Sequence, residues 1–222
     1  MPTFAEKFAD MDKGVLFDLD GVVIDSETIY TDFWIKMEKI FPTGIDNFAI
    51  KIKGSTLQAI LGTYYPDPKI QEEICKYLKV FEKTMVYTPF AEAMRFINEL
   101  NEAKIKCAIV TSSSMKKMEN LFTQNPTFKA HFDAFITGDM VHHSKPHPEP
   151  YLLGAEALNI DIKDCYVFED SLQGIQSGKN AGATVIGLAT TLPYDTIEKE
   201  AHKTIKDFKD FHIQNMIDVK IN

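Results

Sequence analysis

The stretch Val15-Leu16-Phe17-Asp18-Leu19-Asp20-Gly21 reads as a buried β-strand that ends in two carboxylates. Its residues are apolar in succession rather than in alternation, which suits a strand covered on both faces. Asp18 and Asp20 then stand one residue apart, ahead of a glycine. Acids at the end of a buried strand require compensation of their charge. A divalent cation and a phosphoryl group together supply it. Asp20-Gly21 is also a hairpin-turn signal, but the pattern from Ser26 onward is helical, not that of a returning strand.

Runs rich in Val and Ile occur here, at 14–19, and again at 105–111, 134–138, 166–168 and 184–188. Helical patterns at 89–103, 115–124, 148–159 and 171–181 separate most of them. Strand alternating with helix specifies an α/β protein with a Rossmann-like, doubly wound parallel sheet. The alternation breaks once. Roughly 85 residues separate the first two strands, against the usual βα connection of about 2–6 residues plus a helix. The segment reads as helices at 27–40, 56–61 and 68–85. The expected organisation is therefore a core of 1–25 and 89–222 with a helical domain of 26–88 inserted after the first strand, hinged at 21–25 and 87–89. Residues 190–222 are expected to finish the sheet edge and pack a last helix, 208–217, on the core.

In an open parallel sheet the carboxyl ends of the strands line one crevice. That logic gathers Asp18 and Asp20, then Thr111 and Ser112 after the second strand, Lys145 after the third, and Glu169 and Asp170 after the fourth. Mg²⁺ favours hard oxygen ligands, and Asp18, the Asp20 carbonyl and Asp170 offer three. Glu169 either joins them, directly or through water, or orients Lys145. Asp18 is the candidate nucleophile and Asp20 the candidate acid and base. Lys145, Thr111 and Ser112 are candidate phosphate ligands. Each piece has a plainer reading alone: a strand-end hydroxyl at Thr111, a helix cap at 112–114, a loop lysine at 145, acids at a helix start at 169–170. Their joint order, each at or just after a strand, favours the site.

Composition narrows the partners. The net charge is −8, and Arg95 is the sole arginine. An acidic chain without arginine clusters argues against nucleic acid or an anionic membrane as partner. The three cysteines, Cys75, Cys107 and Cys165, have no metal spacing and read as free thiols in a reducing compartment. No apolar run approaches the ~20 residues of a membrane span. A cytoplasmic address and a small-molecule partner are expected.

These motifs together resemble those of the haloacid dehalogenase superfamily, and the insert resembles its subclass I cap. Residues 13–31 and 105–187 are most similar to the β-phosphoglucomutase and sugar-phosphate phosphatase branch. The resemblance implies Mg²⁺ dependence, aspartyl-phosphate chemistry on a small phosphorylated sugar, polyol or acid, and a mobile cap that selects substrate. Cap candidates are Glu27, Tyr30, Lys53, Ser55 and Thr56. A monomer is expected, because the cap already covers the site. Dehalogenases and phosphonatases lack the second aspartate of the first motif, which is present here as Asp20. Mutases of the branch carry a cap histidine where this chain has Tyr30, and an arginine after the Lys-Gly pair where Lys53-Gly54 continues into Ser55. A phosphatase is therefore expected over a mutase or a non-catalytic relative.

Overall fold

The computed structural model describes residues 13–219. Six strands form one parallel sheet: β1 (Gly14–Phe17), β2 (Lys106–Val110), β3 (Ala134–Ile136), β4 (Cys165–Glu169), β5 (Thr184–Leu188) and β6 (Lys203–Ile205). Their order is β3-β2-β1-β4-β5-β6, that of a doubly wound sheet whose winding reverses beside β1. Register sets Phe17 against Ile109 on one side and Phe168 on the other. The residues just beyond these three, among them Asp18, Thr111 and Glu169, therefore open at one end of the sheet.

Period-two alternation divides the strand side chains between two cores. Val15, Phe17, Ile109 and Phe168 face one side, beneath α5 (Ala91–Glu102) and α6 (Met115–Gln124). Leu16, Val110, Val167 and Val185 face the other, beneath α7 (Glu149–Leu158) and α8 (Leu172–Ala181). Phe17 stacks on Phe168 with ring centroids 5.1 Å apart, and Phe96 stacks on Phe208 at 5.4 Å. The C-terminal segment thus seals the first core, as expected, but with different elements. A short helix, α9 (Tyr194–Glu198), precedes edge strand β6, and the last helix, α10, spans only Ile213–Ile217. Phe208 and Phe211 pack from the irregular chain ahead of it. Arg95 Nη2 donates to the carbonyls of Phe208 (2.8 Å) and Phe211 (2.7 Å), bonds that a helix starting at 208 would compete for.

The insert leaves the core just beyond Gly21, whose φ of 77° provides the tight turn after Asp20; such angles favour glycine. It contains α1 (Glu27–Ile40), α2 (Phe48–Lys51), α3 (Leu57–Tyr64) and α4 (Pro68–Thr84). Its helices enclose their own apolar cluster around Phe33, Trp34, Met37, Phe48, Ile60 and Ile74. The outgoing and returning strands of chain lie side by side, with Asp25 N donating to Thr88 O and Phe90 N to Val23 O, each at 2.9 Å.

Candidate active site

Lys145 is the centre of the site. Its ammonium is fully buried and donates to Asp18 Oδ1 and Glu169 Oε1, both at 2.6 Å, and to the Val110 carbonyl at 3.1 Å. Glu169 is buried too, and both its oxygens are engaged. Oε1 also accepts from the Tyr151 hydroxyl at 2.8 Å, while Oε2 accepts from the amides of Asp170 and Ser171 and from Ser171 Oγ at 3.0–3.1 Å. Gly174 makes room for this carboxylate, since a Cβ there would fall 1.7 Å from Glu169 Oε1. Glu169 is thereby fixed as a seat for Lys145.

Asp18, Glu169 and Asp170 present carboxylate oxygens that all lie within 4.8 Å of one another. One lysine cannot neutralise three buried acids. Burial pushes the Asp18 carboxyl up to about 8 against the pull of Lys145, and the charges of Glu169 and Asp20 push the same way. A hard divalent cation fits this donor set and this excess of negative charge.

Asp20 lies in a different environment. Oδ1 accepts from Ser26 Oγ and from Lys117 Nζ, and Oδ2 accepts from Ser113 Oγ at 2.8 Å. Burial alone would raise this carboxyl, but Lys117 and the two hydroxyls hold it below its ordinary value. The two aspartates, separated only by Leu19, are thus driven in opposite directions by their neighbours, Asp18 upward and Asp20 downward. Thr111 is buried beside them, its hydroxyl accepting from Ser113 N at 3.1 Å.

Residues 15–188 match the family described as haloacid dehalogenase-like hydrolase. The chain belongs to the haloacid dehalogenase-like hydrolases. It is 32% identical over 204 residues to glycerol-1-phosphate phosphohydrolase 2 of Saccharomyces cerevisiae, covering 83% of this chain and 78% of that protein. It is 32% identical over 192 residues to hexitol phosphatase A of Escherichia coli, covering 83% and 85%. A family IA, variant 3 hydrolase from Entamoeba histolytica shares the fold, with a TM-score of 0.78 at 24% identity over 93% of this chain and 98% of that one.

In this haloacid dehalogenase-like chain the insert roofs the crevice and leaves a cavity of about 140 Å³. Its floor holds Asp18, Asp20, Thr111, Ser112 and Asp170, and its roof is largely apolar, with Trp34, Ile52, Leu57, Ile60 and Leu78. Lys53, Ser55 and Tyr30 line it as well. The insert touches the core directly here: Ser112 Oγ donates to Gly54 O at 2.7 Å, and Ser55 Oγ donates to Gln173 Oε1 at 2.8 Å. The Tyr30 hydroxyl donates to Glu82 Oε1 at 2.7 Å. Thr56 serves α3 instead, its hydroxyl accepting from Ala59 N at 3.2 Å as the N-cap. The Glu27 side chain lies outside the described residues. No helix among the described residues is long and apolar enough to cross a membrane.

Several participants escaped the reading of the sequence. Thr191 donates to Asp170 Oδ2, and Thr190 donates to Gly21 O at 2.6 Å; both follow β5, in a stretch that carries no motif. Being just past a strand end was the available signal. Tyr151, buried on α7, offers in the sequence only the signal of a core aromatic. Lys117 carried a sharper cue, because it shares the inward face of α6 with Leu121, one turn on. A lysine on an apolar stripe signals a buried partner.

Proposed function

We propose that this chain is a Mg²⁺-dependent phosphatase that hydrolyses a small phosphorylated sugar, polyol or acid through an aspartyl-phosphate at Asp18. The observation that carries the reading is the Lys145 ammonium held between Asp18 and Glu169, with Asp170 and the hydroxyl of Thr111 around the same opening. Asp18 attacks phosphorus and the ester P–O bond breaks. Asp20 gives a proton to the departing alcohol oxygen, then takes one from the water that cleaves the acyl-phosphate. Inorganic phosphate leaves and the Asp18 carboxylate is restored. Lys145, Thr111 and the Ser112 amide region hold the phosphoryl oxygens. Asp18, the Asp20 carbonyl and Asp170 would hold the metal, with Glu169 anchoring Lys145. When bound, Mg²⁺ supplies charge neutralisation and Lewis-acid polarisation of the phosphate.

Residues 26–88 act as a cap that excludes water during transfer and chooses the alcohol portion. The roof of the cavity supports hydrolysis over mutase chemistry. It contains no arginine fork for a second phosphate, and the carboxylate of Glu82 is part of it. The relatives named above, a glycerol-1-phosphate phosphohydrolase and a hexitol phosphatase, support the same class of alcohol. The test is a Mg²⁺-dependent screen of phosphate release over small phosphorylated metabolites. It includes β-glucose 1-phosphate with a trace of glucose 1,6-bisphosphate. Free phosphate from one or a few esters is expected. Glucose 6-phosphate formed without free phosphate would overturn the reading in favour of a mutase.

A further inference from the structure

Lys117 takes no part in the chemistry above, yet its side chain is only 1% exposed and lies at the reacting end of the sheet. It stands in the first turn of core helix α6, behind the Ser114 N-cap. Its ammonium donates to Asp20 Oδ1 and to Ser113 Oγ at 3.0 Å. It also lies 4.1 Å from the centroid of the Tyr30 ring. Tyr30 belongs to the insert. Its hydroxyl bonds Glu82 of α4, and its ring packs edge-on against Phe81 at 5.3 Å. One cation thus touches the acid and base of the proposed reaction on one side and, on the other, a ring fixed to both long helices of the insert.

We propose that Lys117 is a positioning residue: it sets the direction of the Asp20 carboxylate and ties that direction, through Tyr30, to the seating of the insert on the core. The assignment rests on the phosphatase reading. A buried ammonium is kept only with partners that replace its hydration, and here those partners are the carboxylate it orients, a hydroxyl that holds the other carboxylate oxygen, and an aromatic face. Withdrawal of the insert removes the ring and leaves the Asp20–Lys117 pair open to water. Proper seating restores both. Proton delivery to the leaving oxygen then becomes dependent on the insert being in place over a substrate.

The test uses leaving groups of different proton demand. A nitrophenolate leaves without a proton, whereas the alkoxide of glycerol phosphate requires one. The ratio of kcat/KM for the two esters therefore reports on Asp20 in the transfer step, independently of later cleavage of the acyl-phosphate. In Lys117→Met, kcat/KM for glycerol phosphate should fall about thirtyfold and that for p-nitrophenyl phosphate only about threefold. Tyr30→Leu should shift the ratio in the same direction by a smaller factor. If Lys117→Met fails to fold, Lys117→Gln carries the same comparison. An equal loss on both esters, or no loss, would overturn the assignment while leaving the phosphatase reading intact. A wild-type enzyme that releases phosphate from no ester would overturn both.

Discussion

At the scale of the residue, the site is a problem of uncompensated charge. Asp18 holds its proton until about pH 8 in the metal-free protein, against an ordinary value of 3.8. Between those values the unfolded chain binds fewer protons at this position than the native one. The stabilisation from Asp18 is therefore whole below pH 3.8 and lost as pH rises towards about 8. The Asp20 carboxyl is shifted downward, so its own window lies below pH 3.8 and does not overlap. Metal-free protein should lose thermal stability relative to its Asp18→Asn variant as pH rises from about 5 to about 8, and Mg²⁺ should restore it most at the upper end. Thermal unfolding with and without chelator measures this. A wild type that gains on the variant over that range would contradict the raised Asp18 value. The same variant, folded, should release no phosphate.

At the scale of the element, strands and helices followed from patterns that the chain displays locally. Helices Glu27–Ile40 and Met115–Gln124 and strand Thr184–Leu188 occur with the boundaries read from the sequence, because apolar period and end signals coincide there. The carboxyl-end logic brought Asp18, Thr111, Lys145 and Asp170 together for the same reason: the first, second and fourth directly follow a strand, and Lys145 lies on the connection that leaves β3. What stayed hidden depends on packing across distance. Phe208 and Phe211 look like one face of a helix, but Arg95 claims their carbonyls from α5. Thr56 looks like a ligand beside Lys53-Gly54, but α3 takes its hydroxyl. The stripe marks Lys117 as buried, but that its partners are Asp20 and Tyr30 depends on packing across the fold. Arg95→Ala should therefore unpin the C-terminal segment. A loss of about 1–3 kcal/mol is expected, or a fall in melting temperature of roughly 2–4 °C per kcal/mol, with kcat unchanged. Calorimetry and initial rates check the two halves separately.

At the scale of the molecule, the helices of residues 26–88 keep an apolar cluster of their own and meet the sheet over one cavity, where Tyr30 and Phe81 pack on the core and a few polar contacts add to this packing. Gln173 is one of them: its Oε1 accepts from Ser55 and its Nε2 donates to Lys51 O at 3.2 Å. It lies on α8, outside the reacting groups. Gln173→Ala should raise KM about threefold, the scale of one net hydrogen bond, with the melting temperature unaltered. A change in melting temperature without a change in KM would make this contact structural. The paired passage at Asp25 and Thr88 has a broader consequence. Because the exit and return of the insert are already bonded to each other, the sheet perceives residues 26–88 as little more than a decorated turn. Such a junction behaves as a socket. A cassette of another length should fit there without re-threading any strand, and what it must keep is an aromatic face over Lys117, so the insert can change only as far as that ring is retained.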